Sequence, residues 1–170
     1  MSTPNLESVG YYDPAHGTQK LQPGLGLIAG GLAAEIRDRN SAGDFALVVH
    51  RKDSAGLARG WAAAAGRAGL PAVLFQDNRY TGPGYRVERL VDVIGDNLDR
   101  SDHAPFWNAH VPAVMVTDTV PLRNRHYHRL SDTAETLDYD RLAAVTLATI
   151  ELAREWQTGS LEHPTLIAGD

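Results

Sequence analysis

Three short runs of almost uninterrupted apolar residues, Phe45–Val49, Ala72–Phe75 and Val111–Thr117, constrain the fold more than any other feature of the chain. A run of this length reads as a strand covered on both faces, because a half-solvated strand would alternate apolar with polar residues. The third run carries Pro112 near its start. Between the first two lies Ser54–Ala68, with Leu57, Trp61 and Ala65 on one helical stripe and Gly69 as the stop. After the third, Asp138 can cap a helix in which Leu142, Val145, Ala148, Leu152 and Trp156 keep the three-and-four spacing.

The flanking segments are less regular. Leu6–Tyr12 reads as a strand closed by the turn Asp13-Pro14. Gln22-Pro23-Gly24 opens a helix with Leu25, Ile28, Leu32 and Ile36 on one face, although Gly30 and Gly31 inside it each cost about 1 kcal/mol relative to alanine. Gln76–Val87, with Gly82-Pro83-Gly84, reads as a loop and Val91–Ile94 as a short strand. Strands alternating with helices over short links predict an α/β fold: three layers around a mixed, mostly parallel central sheet. Residues 1–157 form one domain in this reading, and 158–170 a frayed tail.

Of the 170 residues 43% are hydrophobic, enough for a core, and the net charge is -5 with 16 scattered basic residues, which argues against a nucleic-acid partner. No apolar run approaches the roughly 20 residues of a membrane span, and no signal peptide is visible. The expectation is a soluble, cytoplasmic protein. With no cysteine, a metal would have to sit on histidine and carboxylate. There is no G-x-S-x-G elbow, and Gly24-Leu25-Gly26 does not follow a strand as a dinucleotide site requires.

Three places hold chemistry-bearing residues. Ser101-Asp102-His103-Ala104-Pro105-Phe106-Trp107 can be a capped helix start, or a helix N-terminus presenting a carboxylate and an imidazole to a cleft. His126 and His128 would share a face if extended and could together hold zinc, but without a third ligand nearby they read as loop residues. Asp132 and Glu135 fit a capping box. Glu7 stands in an apolar segment, where a carboxylate has a cation or metal beside it unless the strand is an edge. His16, His50, His110 and His163 lack partner spacing and read as surface or loop residues; Arg123, Arg125 and Arg129 read as a basic loop.

In this order the pieces resemble the later half of the zinc aminopeptidases of the twenty-eighth metallopeptidase family, whose fold is shared by glutaminyl cyclases. The resemblance runs from Asn5-Leu6-Glu7 to the last helix, strongest over Ser101–Trp107, Val111–Val114, Tyr127-His128 with Asp132-Thr133, and Leu137-Asp138. It implies a zinc-exopeptidase-like fold lacking its N-terminal strands. It also implies that Glu7 binds one zinc and His128 the other, that Tyr127 hydrogen-bonds the developing oxyanion, and that Asp102 lines the site. The reaction would be metal-assisted attack of water on the N-terminal peptide bond of a peptide substrate.

The family's first histidine, bridging aspartate and Glu-Glu pair would precede the Glu7 segment and have no counterpart here, so zinc binding by the chain alone is expected to be weak or absent. Ser8, Arg125 and Leu130 are smaller departures from the family pattern. The resemblance therefore implies a peptidase half, inactive alone. The alternatives are a non-catalytic remnant that self-associates or binds a partner, and a mononuclear site recruiting His126, Asp102 or Asp132 beside His128.

Overall fold

A computed structural model of the chain describes residues 3–77 and 101–158. Of the expected loop Gln76–Val87 only Gln76, which is strand instead, and Asp77 are described; the rest of it, the expected strand Val91–Ile94, His163 and the tail from 159 onward lie outside the described residues. The strands are β1 (Thr3–Glu7), β2 (Ala46–His50), β3 (Ala72–Gln76) and β4 (Ala113–Thr117), in sheet order β1-β4-β2-β3. β1 runs parallel to β4 and β2 parallel to β3, while β4 and β2 are antiparallel. The sheet is mixed.

The helices are α1 (Leu25–Ile28), α2 (Gly30–Asp38), α3 (Ala55–Arg67), α4 (His103–Asn108), α5 (Val120–Arg123) and α6 (Tyr139–Gln157). Period-two alternation along the strands sorts the core into two halves. Ala46, Val48, Val114 and Val116 face Leu57 and Trp61 of α3 and Val145, Ala148 and Leu152 of α6. Leu47, Val49, Ala113 and Met115 face Ile36 of α2 and Trp107 of α4. Both faces are covered, which is why β2 and β4 read as continuous apolar runs.

Local signals explain most boundaries. Asp138 Oδ1 accepts the Arg141 N–H at 3.0 Å and starts α6, while Gly69 closes the turn after α3 at φ +81°. The first helical stretch departs from the expected single helix. It breaks at Ala29 (φ -132°, ψ 56°), directly before Gly30-Gly31, where the backbone loses least by leaving helical geometry.

β1 also departs from the expected Leu6–Tyr12 strand. It starts earlier, contains Pro4, and stops at Glu7 because Ser8 turns into the left-handed region (φ 54°). The Thr3 N–H donates to the Pro112 carbonyl at 3.1 Å, so Pro4 turns its backbone to the side away from β4. The proline's missing N–H costs no ladder bond there, as on an edge strand.

Candidate functional site

Glu7 and Thr117 are register partners at the C-terminal ends of β1 and β4, so the two strands deliver their exits side by side. Glu7 is exposed, yet its carboxylate is held. Oε2 accepts the Ser101 hydroxyl at 2.7 Å and Oε1 the Ser8 hydroxyl at 3.1 Å. Ser101 Oγ in turn accepts from Asn5 Nδ2 at 2.6 Å. Asn5 and Glu7, two apart, share one face of β1, and Ser101 bridges them.

The Ser101–Trp107 segment is a helix start, but neither Ser101 nor Asp102 caps it. Asp102 is the residue preceding α4 and makes no side-chain cap bond; it is exposed. Ser101 spends its hydroxyl on Glu7 instead. His103 is fully buried, edge-on to the Trp107 ring at 4.3 Å between centroids, and so faces the core rather than a cleft.

Beyond α5 the chain forms a turn-rich loop. His126 and His128 do not lie on an extended strand, so the shared face that an extended segment would provide is absent. His126 is committed locally: Arg125 Nε donates to its Nε2 at 3.1 Å, which leaves Nδ1 as the donor to Ser131 Oγ at 3.0 Å. His128 adopts φ 58°, is exposed, and stacks on Tyr127 with centroids 3.9 Å apart. Asp132 and Glu135 do not make the expected capping box. The element there is a single 3-10 turn, Ala134–Thr136, preceded by Thr133 with no side-chain cap.

Two further residues lie beneath this loop. Asp118 follows β4, and its N–H donates to the Ser8 carbonyl at 2.7 Å while its Oδ2 accepts the Tyr11 N–H at 2.8 Å. Arg123, read from the sequence as part of a basic loop with Arg125 and Arg129, is instead buried. Its Nε and Nη2 donate to Gln19 Oε1 at 2.9 and 2.8 Å, and its Nη1 donates to the Phe45 carbonyl at 2.9 Å. Its guanidinium lies over the Phe45 ring at 4.7 Å. An acid directly after a buried strand, and an arginine closing the short apolar segment Val120-Pro121-Leu122, were the available sequence signals. His50 also corrects the sequence reading: it ends β2 and is buried, with Nδ1 2.9 Å from the Arg51 carbonyl.

Burial pushes the Asp118 carboxyl up to about 6, against the Tyr11 N–H and the Arg123 charge, which favour ionisation. Burial likewise lowers Arg123 to about 10, with Asp118 opposing, so both are charged at neutral pH. The native Asp118 pKa exceeds the unfolded value of 3.8. The folded state therefore holds more protons between about pH 4 and 6, and this group's contribution to stability falls as pH rises through that window. Asp118→Asn removes that fall. Relative to the wild type, the variant is expected to gain on the order of 2 kcal/mol between pH 4 and 7. Urea denaturation at the two pH values measures the change, and a pH-independent difference would refute it.

The donor set of the described residues does not by itself fit a zinc centre. Among the described residues, no group of three or more histidine, aspartate or glutamate side chains is placed to hold a metal ion. Nor is any helix of the described residues long and apolar enough to cross a membrane.

Residues 82–153 match the family model described as Peptidase family M28, which supports membership of a metallopeptidase family. The described part of that stretch takes in Ser101–Trp107, β4, the His128 loop and most of α6. The chain is also similar to the Uncharacterized protein YfbL of Escherichia coli (strain K12), 32% identical over 148 residues, 86% of this chain. It spans only 39% of that relative's length. No solved structure gives a significant match.

Proposed function

We propose that the chain forms the substrate-side wall of a zinc-dependent aminopeptidase of three-layer, exopeptidase-like architecture, whose remaining ligands are supplied by polypeptide outside the described residues. The observation that carries this is the Glu7 carboxylate, held by the Ser101 hydroxyl, which Asn5 holds in turn, on a strand whose exit segment is tied to the end of the His128 loop by the Asp138 N–H on the Gly10 carbonyl. A carboxylate with no binding task would gain little from two hydroxyl donors in an exposed position.

In this reading Glu7 and His128 are ligands to different zinc ions. Tyr127, 40% exposed, offers its phenol to the developing oxyanion, and the exposed Asp102 orients the substrate's N-terminus. With one ligand per metal and no general base assigned among the described residues, the chain alone is expected to be inactive. The test is release of N-terminal amino acids from peptides by the chain alone, and by a chimera joining it to the part of YfbL outside the matched 148 residues. Zinc-dependent turnover is expected of the chimera only; robust metal-dependent turnover by the chain alone would overturn the ligand argument.

A second reading, a binding module, rests on the open side of β1. Leu6 is 42% exposed on that edge strand, and Pro4 beside it lines an apolar groove with Leu57, Leu152 and Trp156. Among the described residues nothing pairs with the outer edge of β1, and such an edge with its groove favours self-association or docking of another strand. Sedimentation of the dilute chain decides for self-association, and a clean monomer at micromolar concentration would rule it out.

A further inference from the structure

The loop that carries Tyr127 and His128 is tied at both ends to the segment that leaves Glu7. At its far end the Asp138 N–H donates to the Gly10 carbonyl at 2.9 Å. At its near end Arg123 Nη1 reaches the Tyr11 carbonyl at 3.5 Å, and Asp118 takes the N–H of that same residue. Between these ties the Tyr11 ring lies 6.2 Å from that of His126.

Arg123 is the hub. Nε and Nη2 meet on one acceptor, Gln19 Oε1, which also accepts the Thr119 hydroxyl at 2.8 Å. Nη1 holds the Phe45 carbonyl at the entry to β2. One guanidinium thus joins the segment after β1, the start of β2 and the loop after β4. Gly43 leaves room for it: a Cβ there would stand 2.9 Å from Arg123 Cδ and Nε.

We propose that Asp118 and Arg123 are positioning residues, a buried clamp that grips the Tyr11 backbone at its N–H and at its carbonyl and fixes the His128 loop relative to the Glu7 exit. A buried charge held by neutral acceptors is poor value for stability alone, since an apolar residue of similar volume would avoid its desolvation. Its planar fork of donors is what lysine's point-charge ammonium lacks. The clamp stands on contacts within this chain; only its importance for peptide hydrolysis rests on the reading proposed above.

Amide hydrogen exchange on the full chain tests it with two independent variants. Arg123→Lys keeps a charge but loses the fork. Gly43→Ala keeps Arg123 but forces it from its seat. Both are expected to speed exchange over residues 9–19 and 124–137 by roughly 10-fold or more, the factor that follows loss of a charge-assisted hydrogen bond. Exchange in α3 and α6 should change by less than about 2-fold. This readout needs neither metal nor substrate, so an inactive chimera would not affect it. Uniform acceleration across the chain, no acceleration, or failure of both variants to fold would each overturn the proposal, because the network would then be holding the whole fold or nothing.

Discussion

Trp61→Ala is expected to lower the unfolding free energy by about 3–5 kcal/mol, the range for truncating a large, fully buried aromatic side chain. Trp61 is fully buried at the centre of the core half formed by α3, α6 and the facing residues of β2 and β4. Its indole N–H also donates to Thr149 Oγ1 at 3.0 Å, linking α3 to α6. Alanine would leave a cavity between sheet and helices and remove that link. The surface pairs between the same helices, Arg67 with Glu151 and Glu155, are exposed and cannot compensate. Natural domains are stable by about 5–15 kcal/mol, so the variant would lose a large share of its stability. Trp61→Phe keeps most of the volume and should cost less than half as much. Urea denaturation with an unchanged m-value reads both effects. A loss under about 1 kcal/mol for alanine would mean that this core half collapses around the gap.

The strands that the sequence announces are the apolar ones, although only β2 and β4 are buried throughout; β3, at the sheet edge and expected to be buried, buries Val73 alone. β2, β3 and β4 appear within a residue or two of their apolar runs, and α6 runs from its Asp138 cap to Gln157 as the helical spacing implies. β1 was less legible because its apolar residues mislead. Val9, Tyr11 and Tyr12 look like strand, yet the chain leaves the sheet at Ser8 and the Tyr11 N–H goes to Asp118. Pro4, which argues against a strand in isolation, is compatible with one whose free side faces outward.

The site divides in the same way. Glu7 and His128 stand out by residue type and by family resemblance, but their supports do not. Ser101 reaches Glu7 from 94 residues away, and Gln19 lies 104 residues from the Arg123 it holds. Such contacts leave no periodic trace, because each partner looks locally like a turn residue. Arg123 beside Arg125 and Arg129 looks like a solvated charge cluster until the fold buries one of the three. His50 is the converse: a histidine without partner spacing that proves to end a buried strand.

In the chimera described above, replacing His128 should abolish peptide hydrolysis while leaving the fold intact. His128 is exposed and stacks on the Tyr127 ring, so its removal should change stability by no more than about 0.5 kcal/mol. Its backbone sits at φ 58°, where alanine is strained, so asparagine is the cleaner replacement: it tolerates the left-handed region and cannot act as an imidazole. Loss of a group that merely orients a metal ligand costs roughly 10–100-fold in affinity or activity, and loss of the ligand itself should exceed that. His128→Asn is therefore expected to lower turnover by more than about 100-fold and to remove one zinc per chain. Ser101→Ala, which frees the Glu7 carboxylate without deleting it, should fall within the smaller range. The ordering of the two variants distinguishes a ligand from its support. Unchanged zinc content and turnover in His128→Asn would remove His128 from the metal site, whatever the chimera's activity.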